Sequence, residues 1–171
     1  MAAGGEQAFH RVEPLVRELG RTVSYAGGNG QGLMLKLAIN VSLAAQKLAL
    51  AQGLLLAERG GIDPKLALDV MVTSSIGPPA LQARGPLMLD LPEQAWFDVA
   101  LMHKDIRLAL ESGRAAGVPL PSARLADRML AAATRLGYAH RDVAALFDVL
   151  ARLDEASGEA RRDGYASASA G

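Results

Sequence analysis

Cysteine is absent from the 171 residues, and aromatic residues make up only 4% of them. The absence of cysteine excludes disulfides and thiolate metal sites, and it agrees best with a reducing compartment. The formal net charge is zero, whereas a protein that binds nucleic acid or an anionic membrane surface normally carries a basic excess. We therefore expect no nucleic-acid partner, no membrane partner and a cytoplasmic location.

Long hydrophobic runs are also scarce. The longest apolar tract, residues 48–57, is interrupted by Gln52 and Gly53, so we expect it to be too short to span a bilayer. Residues 1–5 lack the charged region and apolar run of a signal peptide. Half of the chain is nevertheless hydrophobic, and its excess of alanine and leucine favours packed helices over sheets. The length suits one domain.

Hydrophobic spacing predicts an all-α helical bundle preceded by a short strand. Four glycines in residues 26–32 preclude regular structure there, and Ser122 is the predicted cap of the sixth helix. Helices are predicted over residues 6–19, 33–59, 63–72, 79–84, 95–116, 122–136 and 141–153, and a strand over residues 21–25.

The helix predicted over residues 33–59 is apolar on most faces. Its length is roughly 40 Å, which one small domain has difficulty covering. A second subunit or a second domain would cover it, so we expect a homodimer or a higher homo-oligomer.

Lys36 and Asn40 are four residues apart on this long helix and therefore point in the same direction. Lys36 lies among leucines, where a lysine either extends its ammonium group to water or is held in a pocket. In a pocket, desolvation would lower its pKa and make it a usable proton donor or acceptor near neutral pH. Taken alone, a solvated lysine and a buried or cap-like asparagine remain the simpler interpretation.

Three glycines precede this pair in the order G-x-x-G-x-G-x-x-x-K-x-x-x-N, beginning at Gly27 and including Gly30 and Gly32. Glycine lets the backbone turn tightly into the helix and leaves room for a ligand. This motif resembles the catalytic-lysine motif of the 3-hydroxyisobutyrate dehydrogenase family, within the 6-phosphogluconate dehydrogenase-like superfamily. Further segments that resemble the family in order and spacing are residues 4–15, 50–71, 84–89 and 97–121.

The last of these segments contains Lys104 and Asp105, which match a Lys-Asp pair of the family. In relatives, the lysine of that pair lies near the nicotinamide end of the cofactor. Without the resemblance, Lys104 and Asp105 could equally be a surface ion pair worth little.

The resemblance implies a fold and a domain organisation. Residues 1–29 would be the end of an N-terminal NAD(P)-binding Rossmann domain, reduced here to a helix and a strand. Residues 30–154 would form the all-α substrate-binding and dimerisation domain, like the C-terminal domain of 6-phosphogluconate dehydrogenase, with a disordered tail at 155–171. Because most of the Rossmann domain has no counterpart here, we expect Met1 to be an internal start or the gene to be truncated.

The resemblance also implies an activity, which is hydride transfer between NAD or NADP and a small hydroxy acid or semialdehyde. Lys36 would be the general acid/base, Asn40 would orient the substrate, and Lys104, Gly30 and Gly32 would lie at the cofactor. The missing Rossmann domain would hold most of that cofactor, so we expect the chain to be inactive alone.

Two alternatives stay open. An imine reductase has a similar fold but generally replaces the catalytic lysine, so Lys36 counts against it. A non-catalytic helical dimerisation module would also explain the long apolar helix.

Other kinds of site find little support in the sequence. The three histidines lack metal-ligand spacing, Ser74 and Ser75 lack a histidine partner, and residues 27–30 lack the spacing of a dinucleotide-binding fingerprint.

Overall fold

The computed structural model describes residues 1–20, 22–75 and 77–153, and these residues are mostly helical. The tail expected at 155–171 lies outside the described residues. Six α-helices are named in chain order, and two 3₁₀ turns, Gly85–Met88 and Val143–Ala145, lie between or after them. The helices are α1 (Glu6–Glu18), α2 (Gln31–Arg59), α3 (Pro64–Thr73), α4 (Pro79–Arg84), α5 (Val99–Ala115) and α6 (Pro121–Arg135). Residues 146–153 are also α-helical.

Helix α2 is the centre of the bundle, and two clusters of buried side chains form along it. Its first half packs with α5 and α6 around Ala44, Met102 and Leu130. Its second half packs with α3 and α4 around Leu54 and Leu68. Because α2 contributes to both clusters, any side chain on its inner face is fixed against at least one other helix.

Several helix ends agree with the sequence prediction. Asp63 caps α3, since its carboxylate accepts a 2.9 Å hydrogen bond from the backbone N–H of Leu66. Pro64 occupies the first helical position, where its missing N–H costs nothing. Asp69 is exposed on the surface of α3.

Helix α2 covers the predicted residues 33–59 and ends at Gly60, but it already begins at Gln31, because the left-handed turn at Gly30 lets the helix start there. The prediction that residues 26–32 lack regular structure was therefore wrong for Gln31 and Gly32.

Two further predicted starts were wrong. Helix α5 begins at Val99 rather than at residue 95, because the Asp98 carboxylate caps it by accepting from Leu101 N at 2.7 Å. Helix α6 begins at Pro121, and Ser122 makes no capping hydrogen bond because it already lies inside the first turn.

The last predicted helix, over residues 141–153, is also shorter than expected. Asp142 is a cap rather than a helical residue, and its side chain accepts a hydrogen bond from Ala144 N. A 3₁₀ turn follows before residues 146–153 become α-helical. The tighter turn arises because Asp142 is fixed by contacts to residues far earlier in the chain.

No strand is formed over residues 22–25, the described part of the strand predicted over residues 21–25. Within the described residues only an isolated parallel bridge joins Ala2 to Tyr25, on the two sides of α1. Backbone hydrogen bonds from Ala2 N to Ser24 O (2.9 Å) and from Ala26 N to Ala2 O (2.7 Å) hold the two segments together. Two extended segments with no third strand beside them do not make a stable sheet, so the pairing stays local.

Helix α2 is long and apolar enough to cross a membrane by length and composition alone. This corrects the expectation from the interrupted tract at 48–57, because the two interruptions, Gln52 and Gly53, do not end the helix. The central helix of a soluble protein meets the same criterion, and α2 packs against α3, α5 and α6. Large apolar side chains near its start nevertheless remain exposed, namely Leu33, Met34, Leu35 and Ile39.

Candidate active site

The site begins where the chain turns into α2. Gly27 and Gly30 have φ angles of 98° and 88°, in the left-handed region that favours glycine. Gly30 is the N-cap of α2, and the side chain of Gln31 reaches back to accept a 2.8 Å hydrogen bond from Gly28 N. The glycine spacing is therefore required by the local backbone, independently of any ligand.

Gly32 lies in the first turn of α2 and packs closely against the start of the chain. A Cβ atom at this position would lie 3.1 Å from the Cβ of Ala3. At Gly30 the same added atom would meet nothing within 4 Å. Of the two glycines predicted to lie at the cofactor, Gly30 thus faces open space, whereas Gly32 lets the N-terminal segment approach the helix.

Lys36 and Asn40 meet on a single carboxylate contributed by α5. Lys36 Nζ donates a 2.8 Å hydrogen bond to Oδ2 of Asp105, and Asn40 Nδ2 donates to the same oxygen at 2.7 Å. Asn40 is 8% exposed and Asp105 only 1% exposed. The side chain of Lys36 is 46% exposed. Lys36 is therefore anchored by the buried Asp105 carboxylate, while part of its side chain is open to solvent.

Lys104 completes the cluster from the other side. Its Nζ lies 3.1 Å from the second carboxylate oxygen, Oδ1 of Asp105, while its side chain is 56% exposed. Two half-exposed ammonium groups therefore flank one buried carboxylate. The structure brings together three of the five predicted site residues, Lys36, Asn40 and Lys104, whereas Gly30 and Gly32 lie one to two turns earlier at the start of α2.

Burial opposes ionisation of Asp105, but its two lysine partners outweigh that effect. Desolvation alone would raise the pKa of this carboxyl group, whereas hydrogen bonds and charge from Lys36 and Lys104 lower it, and the net result is a pKa below the ordinary value. Asp105 is therefore an anion at neutral pH. It can orient the Lys36 amine through Oδ2 and balance the positive charge of the site.

Asp105 was not predicted as a site residue, and the surface-pair interpretation of Lys104 and Asp105 was wrong for the aspartate. Asp105 points inward beside Met102 and Ile106, both fully buried. Helical spacing contains a signal for this, because residues 102, 105, 106 and 109 share one face of α5. A lone aspartate on an otherwise apolar face needs a buried partner, and Lys36 and Asn40 provide it.

Metal ligation finds no support in the part of the chain that the structure describes, where no three histidine or acidic side chains come together. His103 instead pairs with Asp127 on α6 at 3.0 Å between Nε2 and Oδ1. His10 lies on exposed α1, and His140 is 3.8 Å from Asp98 on the surface. These histidines are separate from the Lys36–Asp105 cluster.

Residues 30–150 match the family model described as the NAD-binding domain of NADP-dependent 3-hydroxyisobutyrate dehydrogenase. That stretch contains α2 to α6 and every residue of the lysine–aspartate cluster. The chain belongs to the 3-hydroxyisobutyrate dehydrogenase family. The resemblance drawn from the glycine, lysine and asparagine motif is thereby confirmed.

Similar proteins include hydroxy-acid and semialdehyde oxidoreductases. The chain is 30% identical to 2-hydroxy-3-oxopropionate reductase of Escherichia coli over 88% of its own length and 51% of that enzyme. It is 26% identical to the chloroplastic glyoxylate/succinic semialdehyde reductase 2 of Arabidopsis thaliana, over 88% of this chain and 42% of the relative. The chain thus spans about half the length of these relatives.

The fold is also similar to that of a solved structure. The 3-hydroxyisobutyrate dehydrogenase of Salmonella typhimurium superposes with a TM-score of 0.80 at 26% identity, covering 87% of this chain and 53% of that protein. The mostly helical fold expected from the sequence is confirmed. The assignment of residues 1–29 to a Rossmann domain stays a prediction.

Proposed function

We propose that residues 30–154 form the substrate-side domain of an NAD(P)-dependent oxidoreductase that acts on a small hydroxy acid or semialdehyde. The observation that carries this proposal is the double hydrogen bond to Asp105 Oδ2 from Lys36 and Asn40. It fixes an amine and an amide side by side, with the amine open to a ligand. Such an arrangement suits proton transfer to and from a hydroxyl or carbonyl oxygen.

Each residue has a distinct task in this proposal. Lys36 takes the proton from the substrate hydroxyl during oxidation and returns it during reduction. Asn40 sets the direction from which substrate approaches, because its Nδ2 is already committed to Asp105 and its carbonyl oxygen remains for a substrate donor. Asp105 does not touch substrate and is a positioning residue that holds the Lys36 amine in place.

The residues present fit a nicotinamide cofactor. Lys104 and the open N-cap at Gly30 would hold it, because an exposed ammonium group and a helix N-terminus both attract its anionic groups. When bound, the cofactor supplies or accepts the hydride, a task that no side chain can perform. Most of the contacts to the cofactor would come from a Rossmann domain, of which residues 1–29 are proposed to be the end.

The relatives support the proposed substrate class. The two enzymes are named for 2-hydroxy-3-oxopropionate, glyoxylate and succinic semialdehyde, all small oxygenated acids. All three molecules contain an aldehyde group and a carboxylate. The positive pair Lys36 and Lys104 is compatible with an anionic substrate of this kind.

The test is turnover of NADH or NADPH with those three substrates, measured through the absorbance of the reduced nicotinamide. We would assay the 171-residue chain and, if the reading frame extends upstream of Met1, the longer product as well. Replacing Lys36 by Met should lower kcat by about 100-fold or more, whereas Lys65→Met, on exposed α3, should leave it unchanged. Turnover in neither protein, or an unchanged rate in the Lys36 variant, would refute the proposal.

A second candidate function, a helical dimerisation module, is favoured by the exposed apolar side chains at the start of α2. Exposed apolar patches of this kind mark interfaces with another subunit or domain. Sedimentation at micromolar concentration separates the candidates: assembly that survives Lys36→Met, in a protein with no turnover, would leave only the structural role. Sedimentation of the chain as a monomer would contradict the expectation of a homodimer or higher homo-oligomer.

A further inference from the structure

A second lysine on α2 is almost completely buried and takes no part in the Lys36–Asp105 cluster. Lys47 is 2% exposed, and its Nζ has no hydrogen-bond partner within the described residues. It follows Lys36 by eleven residues and Asn40 by seven, and both spacings return to nearly the same helix face. The three side chains therefore lie along one side of α2.

The carboxylate that lies near Lys47 is already engaged elsewhere. Asp142 attracts Lys47 electrostatically, but its Oδ2 accepts hydrogen bonds from the backbone N–H groups of Trp96 (3.1 Å) and Phe97 (3.3 Å). Its Oδ1 accepts from Ala144 N at 2.9 Å. The Lys47 ammonium group is therefore left with three unused donors.

A second cation adds to the positive charge around Lys47. Arg84, at the end of α4, repels Lys47, and its guanidinium lies 5.4 Å from the ring centroid of Trp96. Burial lowers the pKa of Lys47, Asp142 raises it in part, and Arg84 lowers it further. An unpaired buried charge of this kind is costly unless a ligand balances it.

These groups line one cleft. It has a volume of about 420 Å³ and is bounded by Asn40, Lys47, Arg84 and Trp96 together with three apolar residues. Asn40 belongs both to this cleft and to the Lys36–Asp105 cluster. Asn40 therefore connects the cleft to the proposed site of proton transfer.

We propose that the cleft binds a carboxylate at the far end of the substrate, with Lys47 and Arg84 as its cationic partners. The inference rests on the proposed function and narrows its substrate class to acids whose carboxylate lies several bonds from the reacting carbon, as in succinic semialdehyde. Asn40 and Lys47 are separated by roughly 10 Å along the helix axis, and the lysine side chain leans back toward Asn40. A chain of four or five carbons suits the remaining gap better than a two-carbon acid does.

The test measures binding without any turnover, using succinate as an unreactive dicarboxylate. Isothermal titration of the 171-residue chain should give saturable binding, and acetate should bind more weakly. Lys47→Met should weaken succinate binding by about tenfold or more, because a charge-assisted hydrogen bond is lost. Arg84→Gln should weaken it as well, and Lys65→Met, on the exposed surface of α3, is the matched control.

Four results would overturn the inference. These are no saturable binding of succinate, equal binding by the Lys47 variant, equal binding of succinate and acetate, or equal binding of succinate and inorganic phosphate. Circular dichroism would first establish that each variant is folded, and Arg84→Gln provides the test if Lys47→Met is not. Because no cofactor is present, this result is independent of the Lys36 turnover assay, so the two proposals can fail separately.

Discussion

The Nζ atom of Lys36 donates a 2.8 Å hydrogen bond to Oδ2 of Asp105, although 69 positions separate the two residues in the chain. This contact joins α2 to α5 and places a half-exposed amine over a buried carboxylate. The same oxygen accepts from Asn40. One aspartate therefore determines where two proposed active-site side chains point.

Replacing Asp105 by Asn should weaken both the fold and the site. The amide has the same size but no charge, and in either orientation its NH₂ group faces donors, Lys104 on one side or Lys36 and Asn40 on the other. A hydrogen bond to a charged group contributes about 1.5–3 kcal/mol, and solvent screening of the two exposed lysines reduces this. We expect a loss of about 1–2 kcal/mol in urea unfolding.

Asp69→Asn on the exposed face of α3 is the control and should change the unfolding free energy by less than about 0.5 kcal/mol. Under the proposed function, Asp105→Asn should also lower kcat more than it raises KM, because the Lys36 amine loses its orientation. Wild-type stability in Asp105→Asn would mean that the buried carboxylate contributes nothing net.

The stabilisation from Asp105 should depend on pH in a defined direction. Its pKa is lower in the folded protein than the ordinary value of 3.8, so the unfolded chain binds more protons in the window between these two values. The contribution is therefore complete above pH 3.8 and is lost as pH falls through the folded pKa. The difference in unfolding free energy between wild type and Asp105→Asn should shrink only below that pH. A difference that shrinks between pH 7 and 5 would contradict this.

Lys47→Met should stabilise the protein, in contrast to Asp105→Asn. Methionine is similar in length and flexible enough to fill the same space, and it removes a buried ammonium group that has no hydrogen-bond partner in the described structure. Replacing buried charge by an apolar side chain is often stabilising by about 1–4 kcal/mol. We expect about 1–2 kcal/mol, since Asp142 offsets part of the present cost. Thermal or urea unfolding of the unliganded chain would measure it.

The gain from Lys47→Met should narrow at alkaline pH. The pKa of Lys47 is lowered in the folded protein from the ordinary 10.5, so between these values the unfolded chain binds the additional proton. Wild-type stability then rises with pH relative to the variant until about pH 10.5. A stability difference that stays constant up to that pH would show that Lys47 is not desolvated, and Lys65→Met provides the baseline.

The sequence allowed a good prediction of the helices but not of all their ends. Spacing within one helix placed Lys36 and Asn40 on the same face, because that geometry is local. The start of α5 depends instead on Asp98 and on Asp142, which binds the backbone of Trp96 and Phe97 from 45 and 46 positions away. No local pattern contains that contact.

The missed role of Asp105 has the same origin. Its neighbour Lys104 is exposed, so the pair resembles a surface ion pair when read along the chain. Burial of Asp105 is decided by how α5 crosses α2, which sequence spacing does not specify. Lys47 was missed for a related reason, since a single lysine in a long helix is normally solvated, and only the packing of α4 and of residues 96–97 beside it removes the water.

A close contact within α5 offers a test of the packing that supports the site. Gly113 lies near the end of this helix, and its carbonyl accepts a 2.8 Å hydrogen bond from Val118 N. A Cβ atom at Gly113 would lie 2.7 Å from Leu120 Cδ1 and 3.1 Å from the carbonyl oxygen of Val118. Gly113→Ala should therefore cost about 1–3 kcal/mol, even though alanine has the higher helix propensity.

Gly53→Ala is the matched control, because Gly53 also lies inside a helix, α2. Its added Cβ would meet only the side chain of Met71, with Cε at 2.6 Å and Sδ at 3.7 Å, and that flexible side chain can move aside. The gain in helix propensity, about 1 kcal/mol, should then leave this variant as stable as wild type or more so. The measurement is the free energy of urea unfolding of both variants. We expect only Gly113→Ala to be destabilised, because the backbone carbonyl of Val118 cannot move away as the Met71 side chain can. Equal stabilities would show that the turn after α5 is loosely packed and does not fix the helix that carries Asp105.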